Sequence, residues 1–257
     1  IIALLTKYGL YTKKQFGQNF LINEGALEKI IEAAKITSED HVIEVGPGLG
    51  VLTQKLSEKA KKVTSVEIDE TLLPLLKETL FGYKNVKVIN QDALSFTPPN
   101  EPYKLVANIP YYITSPLINH FLQTETKPLS LTLLIQKEVA DKLCKLEPDM
   151  SILSLQAALF GKAHKVDTVS AGSFFPPPKV TSAIIQIIPD NKIETTTALK
   201  VLKLAKQAFA QKRKKLSNTV LRNIENSPID KNRRPQTLSV EEWIELTDFI
   251  QQLNTKS

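Results

Sequence analysis

The chain has 257 residues, 42% of them hydrophobic, with 33 Lys and Arg against 27 Asp and Glu for a net charge of +6. That length holds one large domain with a sizeable core and a smaller companion. No apolar run reaches the roughly 18 residues that span a bilayer. The single cysteine, Cys144, excludes an internal disulfide, and three His with one Cys are too few to point to a metal site. With no leader pattern visible, these features predict a reducing, cytoplasmic compartment. The absence of an initiator Met leaves the true N-terminus open.

In chain order, Asn23 is placed to N-cap a helix running through Ile36, with Leu27, Ile30, Ile31 and Ala34 on its inner face. "HVIEVG" (41–46) predicts a buried strand, 52–60 a helix, 62–69 a second strand, 71–80 a helix and 86–92 a third strand. "KLVAN" (104–108) predicts a fourth strand. A helix follows with Pro116 in its first turn, where proline is tolerated, and then a fifth strand over 129–136. This βαβα order argues for a parallel, doubly wound sheet with helices on both faces. Helices near 137–145 and 151–160 and two more β segments, "KVDTVS" and "VTSAIIQIIP", lead to a domain boundary at Pro189-Asp190. Residues 191–257 predict a small all-helical domain, with one helix over 199–216 and another opened by a Ser239/Glu242 capping box. In that last helix Trp243, Leu246, Ile250 and Leu253 form one apolar stripe, read as core. No internal repeat is visible.

The charge is segregated. Residues 1–190 carry 20 Lys and Arg against 20 Asp and Glu, and residues 191–257 carry 13 against 7, so the whole excess of six lies in the second region. Segregation of this kind points to a polyanionic partner, with a solvated basic helix face as the plainer alternative.

"EVGPGLG" (44–50) follows the first strand and opens a helix, so Gly46, Gly48 and Gly50 can bring backbone close to a ligand. Its spacing is G-x-G-x-G, with Val51 at the last position of the dinucleotide fingerprint. Glu67 ends the second strand 21 residues after Gly46, where an acid can accept both ribose hydroxyls. Asp92 ends the third strand, where it can accept from an adenine amino group. Asp69 is expected to be an exposed contrast to these two. Hydride transfer with a nicotinamide cofactor fits the glycines, but the fourth strand argues against it.

That strand ends in Asn108-Ile109-Pro110-Tyr111. The Asn108 amide oxygen and the Ile109 carbonyl can each accept one hydrogen of an exocyclic amine, while Pro110 fixes φ and holds the carbonyl. Together they would aim the nitrogen lone pair at an electrophile such as a sulfonium methyl group. Tyr111 offers a ring for a flipped-out base. Transfer of this kind needs positioning and electrostatics, with no covalent intermediate. Cys144 lies in a polar stretch and is read as a bystander. Tyr112 is expected to pack behind the loop.

Taken with "KKQFGQNFL" (13–21), "VEID" (66–69), "QDAL" (91–94), "FFPPPKVTSAI" (174–184), "FAQKRKKL" (209–216) and "RPQTLSVEEW" (234–243), these motifs make the chain resemble, almost end to end, the ribosomal RNA adenine dimethyltransferases of the KsgA type. The resemblance implies a class I, Rossmann-like methyltransferase domain over 1–190 and a basic, helical RNA-binding domain over 191–257. It implies S-adenosylmethionine as cofactor and two adjacent adenosines near the 3′ end of small-subunit (16S) ribosomal RNA as target. It implies a monomer acting on the small ribosomal subunit or its pre-30S precursor. By the same resemblance Asn19 and Leu21 contact the methionine end of the cofactor, Gly46 lines its loop, Glu67 binds ribose and Asp92 adenine. Asn108 serves cofactor and target, and Phe174 faces Tyr111 across the base. Lys212, Arg213, Lys214, Lys215, Arg233 and Arg234 are the expected RNA contacts. Relatives that methylate large-subunit RNA carry Lys and His where this chain has Leu49 and Val51. A non-catalytic RNA-binding or assembly factor is the competing reading.

Overall fold

The computed structural model describes residues 7–8 and 18–256, so the "KKQFG" part of the first motif lies outside the described residues. The chain divides into two compact units. The first takes the residues up to Ala140 together with His164–Pro189, and the second takes Asp141–Ala163 together with Asp190–Ser257. The expected boundary at Pro189-Asp190 coincides with the last crossing. The expected continuity of 1–190 does not hold, because 141–163 group with the C-terminal region.

The first unit is built on strands β2 (His41–Val45), β3 (Lys62–Glu67), β4 (Val86–Asn90), β5 (Lys104–Asn108), β6 (Ser130–Gln136), β7 (Gly161–Val169, which belongs to this unit from His164 onward) and β9 (Ser182–Pro189). Their order in the sheet is β4-β3-β2-β5-β6-β9-β7. The pairs from β4 to β6 are parallel, and β9 runs antiparallel to β6. Two further strands, β1 (Phe20–Leu21) and β8 (Phe174–Phe175), form a separate short ladder. The helices of this unit are α1 (Glu24–Ala34), α2 (Val51–Ser57), α3 (Leu73–Thr79) and α4 (Thr114–Gln123), with α5 (Lys137–Leu143) beginning in it.

Local chemistry explains the element ends. Asn23 caps α1, its side chain accepting from the Ala26 N–H at 2.9 Å. The helix stops at Ala34 because Lys35 turns left-handed at φ 48°, before the expected end at Ile36. Strand residues on both sides of the pleat are buried. Val42, Val63, Val106 and Leu134 join Leu27, Ile30 and Ile31 of α1 in one cluster. The alternate residues Ile43, Leu105, Leu133 and Ile185 are equally inaccessible. A parallel sheet covered on both faces requires such apolar runs.

In the second unit α6 (Ile152–Phe160), α7 (Thr195–Phe209) and α8 (Val240–Lys256) enclose a small core. Trp243 and Leu246 are buried there, and the Trp243 ring stacks on Phe209 at 6.0 Å between centroids. The stripe runs out into solvent by Leu253. The capping box closes as expected, Ser239 Oγ accepting from the Glu242 N–H at 3.1 Å and Glu242 Oε2 accepting from the Ser239 N–H at 2.8 Å. The helix expected over 199–216 ends at Phe209 instead. Leu216 is fully buried and its N–H bonds the Arg233 carbonyl at 2.9 Å, a tertiary pairing that a continued helix would forfeit. Among the described residues, no helix is long and apolar enough to cross a membrane.

Candidate active site

In the sheet order the chain leaves β2 toward β3 and β4, then returns to place β5 on the other flank of β2. Such a reversal opens a crevice at the carboxyl ends of the strands, where ligands of open α/β sheets bind. Each predicted site residue of this unit follows from it. Gly46 succeeds β2, Glu67 ends β3, Asp92 lies two residues past β4 and Asn108 ends β5. They line one cavity of about 220 Å³ together with Asn19, Leu21, Ile109, Pro110, Tyr111 and Phe174. The β1–β8 ladder brings in the two remote motifs, pairing Leu21 with Phe174, and the Ile22 N–H adds a bond to the Ser173 carbonyl at 2.9 Å.

The glycine turn is shaped for close approach. Gly46 and Gly48 have φ of 71° and 58°, a region that side chains strain to enter. A Cβ on Gly48 would also stand 3.1 Å from the Phe20 ring. The Gly48 N–H reaches Glu67 Oε2 at 3.3 Å, and the Asp69 N–H donates to Oε1 at 2.8 Å. Each Glu67 oxygen thus keeps acceptor capacity facing the cavity. Burial raises the Glu67 carboxyl above its ordinary range, against these two donors and the Ile68 backbone N–H. Asp92 is exposed. Its Oδ1 accepts from the Leu94 N–H at 2.9 Å, and among the described residues Oδ2 accepts no hydrogen bond.

At the tip of β5 the Asn108 Nδ2 donates to the Asn19 carbonyl at 3.4 Å. Among the described residues neither Asn108 Oδ1 nor the Ile109 carbonyl accepts a hydrogen bond. Pro110 at φ −55° leads into a 3₁₀ turn over Tyr111–Ile113, where the Tyr111 hydroxyl lies 2.8 Å from Ser182 Oγ. Phe174 lines the cavity with its ring packed into the core beside Leu21 and Leu27.

Three expectations need correction. Asp69 is buried, not exposed, holding the Thr71 N–H at 3.1 Å, the Thr71 hydroxyl at 2.6 Å and the Gln18 amide at 2.9 Å. It braces the turn after β3. Tyr112 does not pack behind the loop; it is 61% exposed and lines the cavity. Arg233, in the second unit, pairs with Glu242 and with the Thr237 carbonyl and hydroxyl, so four of its five N–H donors are engaged within the fold. Lys212, Arg213, Lys214, Lys215 and Arg234 are at least partly open to solvent. The Leu216 and Ser217 N–H groups bond the carbonyls of Arg233 and Lys231 at 2.9 and 2.8 Å, which sets the two basic runs side by side.

Glu44, in the glycine motif, carries a role that its place in the sequence does not reveal. It is fully buried, and its Oε2 accepts from the hydroxyls of Thr53 at 2.6 Å and Ser65 at 2.7 Å. Burial pushes its carboxyl up to about 7 from an ordinary 4.5, and neighbouring Glu67 adds to the rise. A group that holds its proton more tightly when folded stabilises most at low pH. That contribution is present below pH 4.5 and lost as pH rises through about 7. Glu44→Gln abolishes the titration. Denaturant melts at a series of pH values should show the variant gaining on the parent by on the order of 2–3 kcal/mol across that window. A difference independent of pH would contradict the assignment.

A family described as "Ribosomal RNA adenine dimethylase" matches residues 9–252. Ribosomal RNA small subunit methyltransferase A of Dehalococcoides mccartyi is 41% identical, covering 95% of this chain and 90% of the relative. The protein of the same name from Bacillus pumilus is 35% identical over 96% and 94%. Among solved structures, a dimethyladenosine transferase from Plasmodium falciparum superimposes with a TM-score of 0.79 at 32% identity, covering 92% of this chain and 98% of that one. The 23S rRNA methyltransferase ErmE gives 0.71 at 29% identity, over 91% and 100%.

Proposed function

Since the chain belongs to the ribosomal RNA adenine dimethylase family, we propose that it transfers methyl groups from S-adenosylmethionine to N6 of two adjacent adenosines near the 3′ end of small-subunit RNA. The observation that carries this reading is the pair of unengaged acceptors, Asn108 Oδ1 and the Ile109 carbonyl, at the lip of a cavity that also holds Glu67 and Asp92. The residues fit the cofactor. The left-handed glycine turn admits its backbone approach, Glu67 accepts from a ribose diol, and Asp92 beside Ile68 and Leu94 offers an acceptor and apolar walls for adenine. Asn19 and Leu21 bound the opposite end. When bound, S-adenosylmethionine supplies an electrophilic methyl group.

The chain's own residues then act on the target. Tyr111 offers a ring face to a base withdrawn from its stack, and the buried Phe174 ring closes the cavity wall that the base would meet. Asn108 and Ile109 each accept one hydrogen of its 6-amino group. That fixes the nitrogen, opposes conjugation of its lone pair with the ring and favours tetrahedral geometry as the new bond forms. The methylated nitrogen is cationic and releases one proton to water; one N–H then remains, and one acceptor suffices to hold it for the second transfer.

Lys212, Arg213, Lys214, Lys215 and Arg234 bind phosphates in this reading, giving affinity with little sequence information. Small-subunit RNA is preferred over large-subunit RNA as substrate because Leu49 and Val51 replace the Lys and His expected of the latter class, and because the curated relatives are named for the small subunit. The test is methyl incorporation into unmethylated small and large ribosomal subunits. The reading predicts incorporation into the small subunit alone. It also predicts a weaker salt dependence of KM when residues 212–215 are changed to Glu, by about 0.7–0.9 in log-log slope for each phosphate no longer neutralised. Incorporation into the large subunit, or an unchanged slope, would count against it.

A further inference from the structure

We propose that Tyr112 is the platform on which the nucleotide adjoining the target adenosine stacks. This rests on the reading of the cavity as the place where the target base is held. Tyr111 and Tyr112 are consecutive on one 3₁₀ turn and line the same cavity, yet their surroundings are opposite. Tyr111 is half-buried and its hydroxyl is tied to Ser182. Tyr112 is 61% exposed, and among the described residues its hydroxyl makes no hydrogen bond. A ring so exposed adds little to the stability of the fold, and a polar side chain would serve that turn equally well.

The backbone beneath the ring is well held. The Ile113 N–H donates to the Pro110 carbonyl at 3.2 Å, and the Thr114 hydroxyl donates to the Tyr111 carbonyl at 3.0 Å. The ring is therefore presented on a fixed support, so stacking on it orders few further bonds.

The substrate supplies the need. A base drawn out of its stack leaves its neighbour with one bare face. An aromatic ring at the lip of the cavity replaces the missing partner. Every base has a π-face, but a purine offers the larger one, so an adjoining adenosine is favoured over a uridine.

Steady-state methyl transfer to unmethylated small subunits tests this with Tyr112→Ala, Tyr112→Phe and Tyr112→Leu. The Ala and Leu variants should raise the KM for the subunit roughly tenfold or more, with kcat within about twofold, and the Phe variant should restore it. Titration with S-adenosylhomocysteine should give the parent affinity in all four proteins. Subunits in which uridine replaces the adjoining adenosine should raise KM for the parent and leave the Ala variant unmoved. An unchanged KM in the Ala variant, failure of Phe to restore it, or a loss that falls on cofactor affinity would overturn the proposal while leaving the enzyme reading intact. Absence of transfer by the parent protein would overturn the reading itself.

Discussion

Replacing Asn108 with alanine should lower the rate of methyl transfer by on the order of 10²–10³, about 3–4 kcal/mol in barrier, while cofactor affinity falls only a few-fold. The asymmetry follows from what each end of the amide does. Nδ2 donates to the Asn19 carbonyl at 3.4 Å, a long bond whose loss leaves one neutral carbonyl less well satisfied. In the proposed reaction Oδ1 accepts from an amine whose geometry changes as the new bond forms. Stabilisation that grows toward the transition state appears in kcat, whereas uniform binding appears in KM. Asn108→Asp sharpens the point. It keeps an acceptor for the amine but sets a carboxylate against the Asn19 carbonyl, so its cofactor affinity should fall further than that of the alanine variant. Single-turnover transfer alongside calorimetric titration separates the two effects. Equal loss in both measurements would place Asn108 in cofactor binding alone.

Glu67→Ala should show the complementary pattern. Two charge-assisted bonds from a ribose diol contribute about 1.5–3 kcal/mol each, so the Kd for S-adenosylmethionine should rise by on the order of 10² or more. At saturating cofactor, kcat should stay within about threefold. The carboxylate is costly to the fold, since burial raises its pKa more than the backbone N–H groups of Asp69, Gly48 and Ile68 lower it. Removing it should leave thermal stability equal or improved, so weakened binding cannot be ascribed to unfolding. Glu67→Gln retains an acceptor without the charge and should fall between. A variant that binds cofactor as the parent does would remove Glu67 from the site.

Much of this was legible in the chain because the crevice is assembled from strand ends. A strand end is a local event. An apolar run that stops at Gly46, at Glu67 or at Asn108 shows where backbone leaves the sheet, and a parallel sheet gathers those points along one edge. The pairing of Leu21 with Phe174 was not legible from periodicity. It joins segments about 150 residues apart, and only the resemblance to known enzymes linked them. The misread residues failed for the same physical reason. Asp69 looked exposed because its burial depends on Gln18 and Thr71 closing over it. Arg233 looked like an RNA contact because its partner Glu242 is on the next helix. Residues 141–163 follow the sheet in sequence yet pack with the second unit through α6, whose apolar residues are not confined to one face. Tyr112 is the reverse case, assigned to packing and found in the open.

The function turns on one chemical event, the placing of two methyl groups on a single adenine nitrogen. Small subunits from cells lacking the enzyme, incubated with this protein and S-adenosylmethionine, can be digested to nucleosides and resolved by chromatography with mass detection. The proposed reaction predicts about two equivalents of N6,N6-dimethyladenosine per subunit with the parent chain, and none above background with Asn108→Ala at the same enzyme level and time. Methylation at carbon or at a ribose hydroxyl, or equal yields from the two proteins, would contradict it.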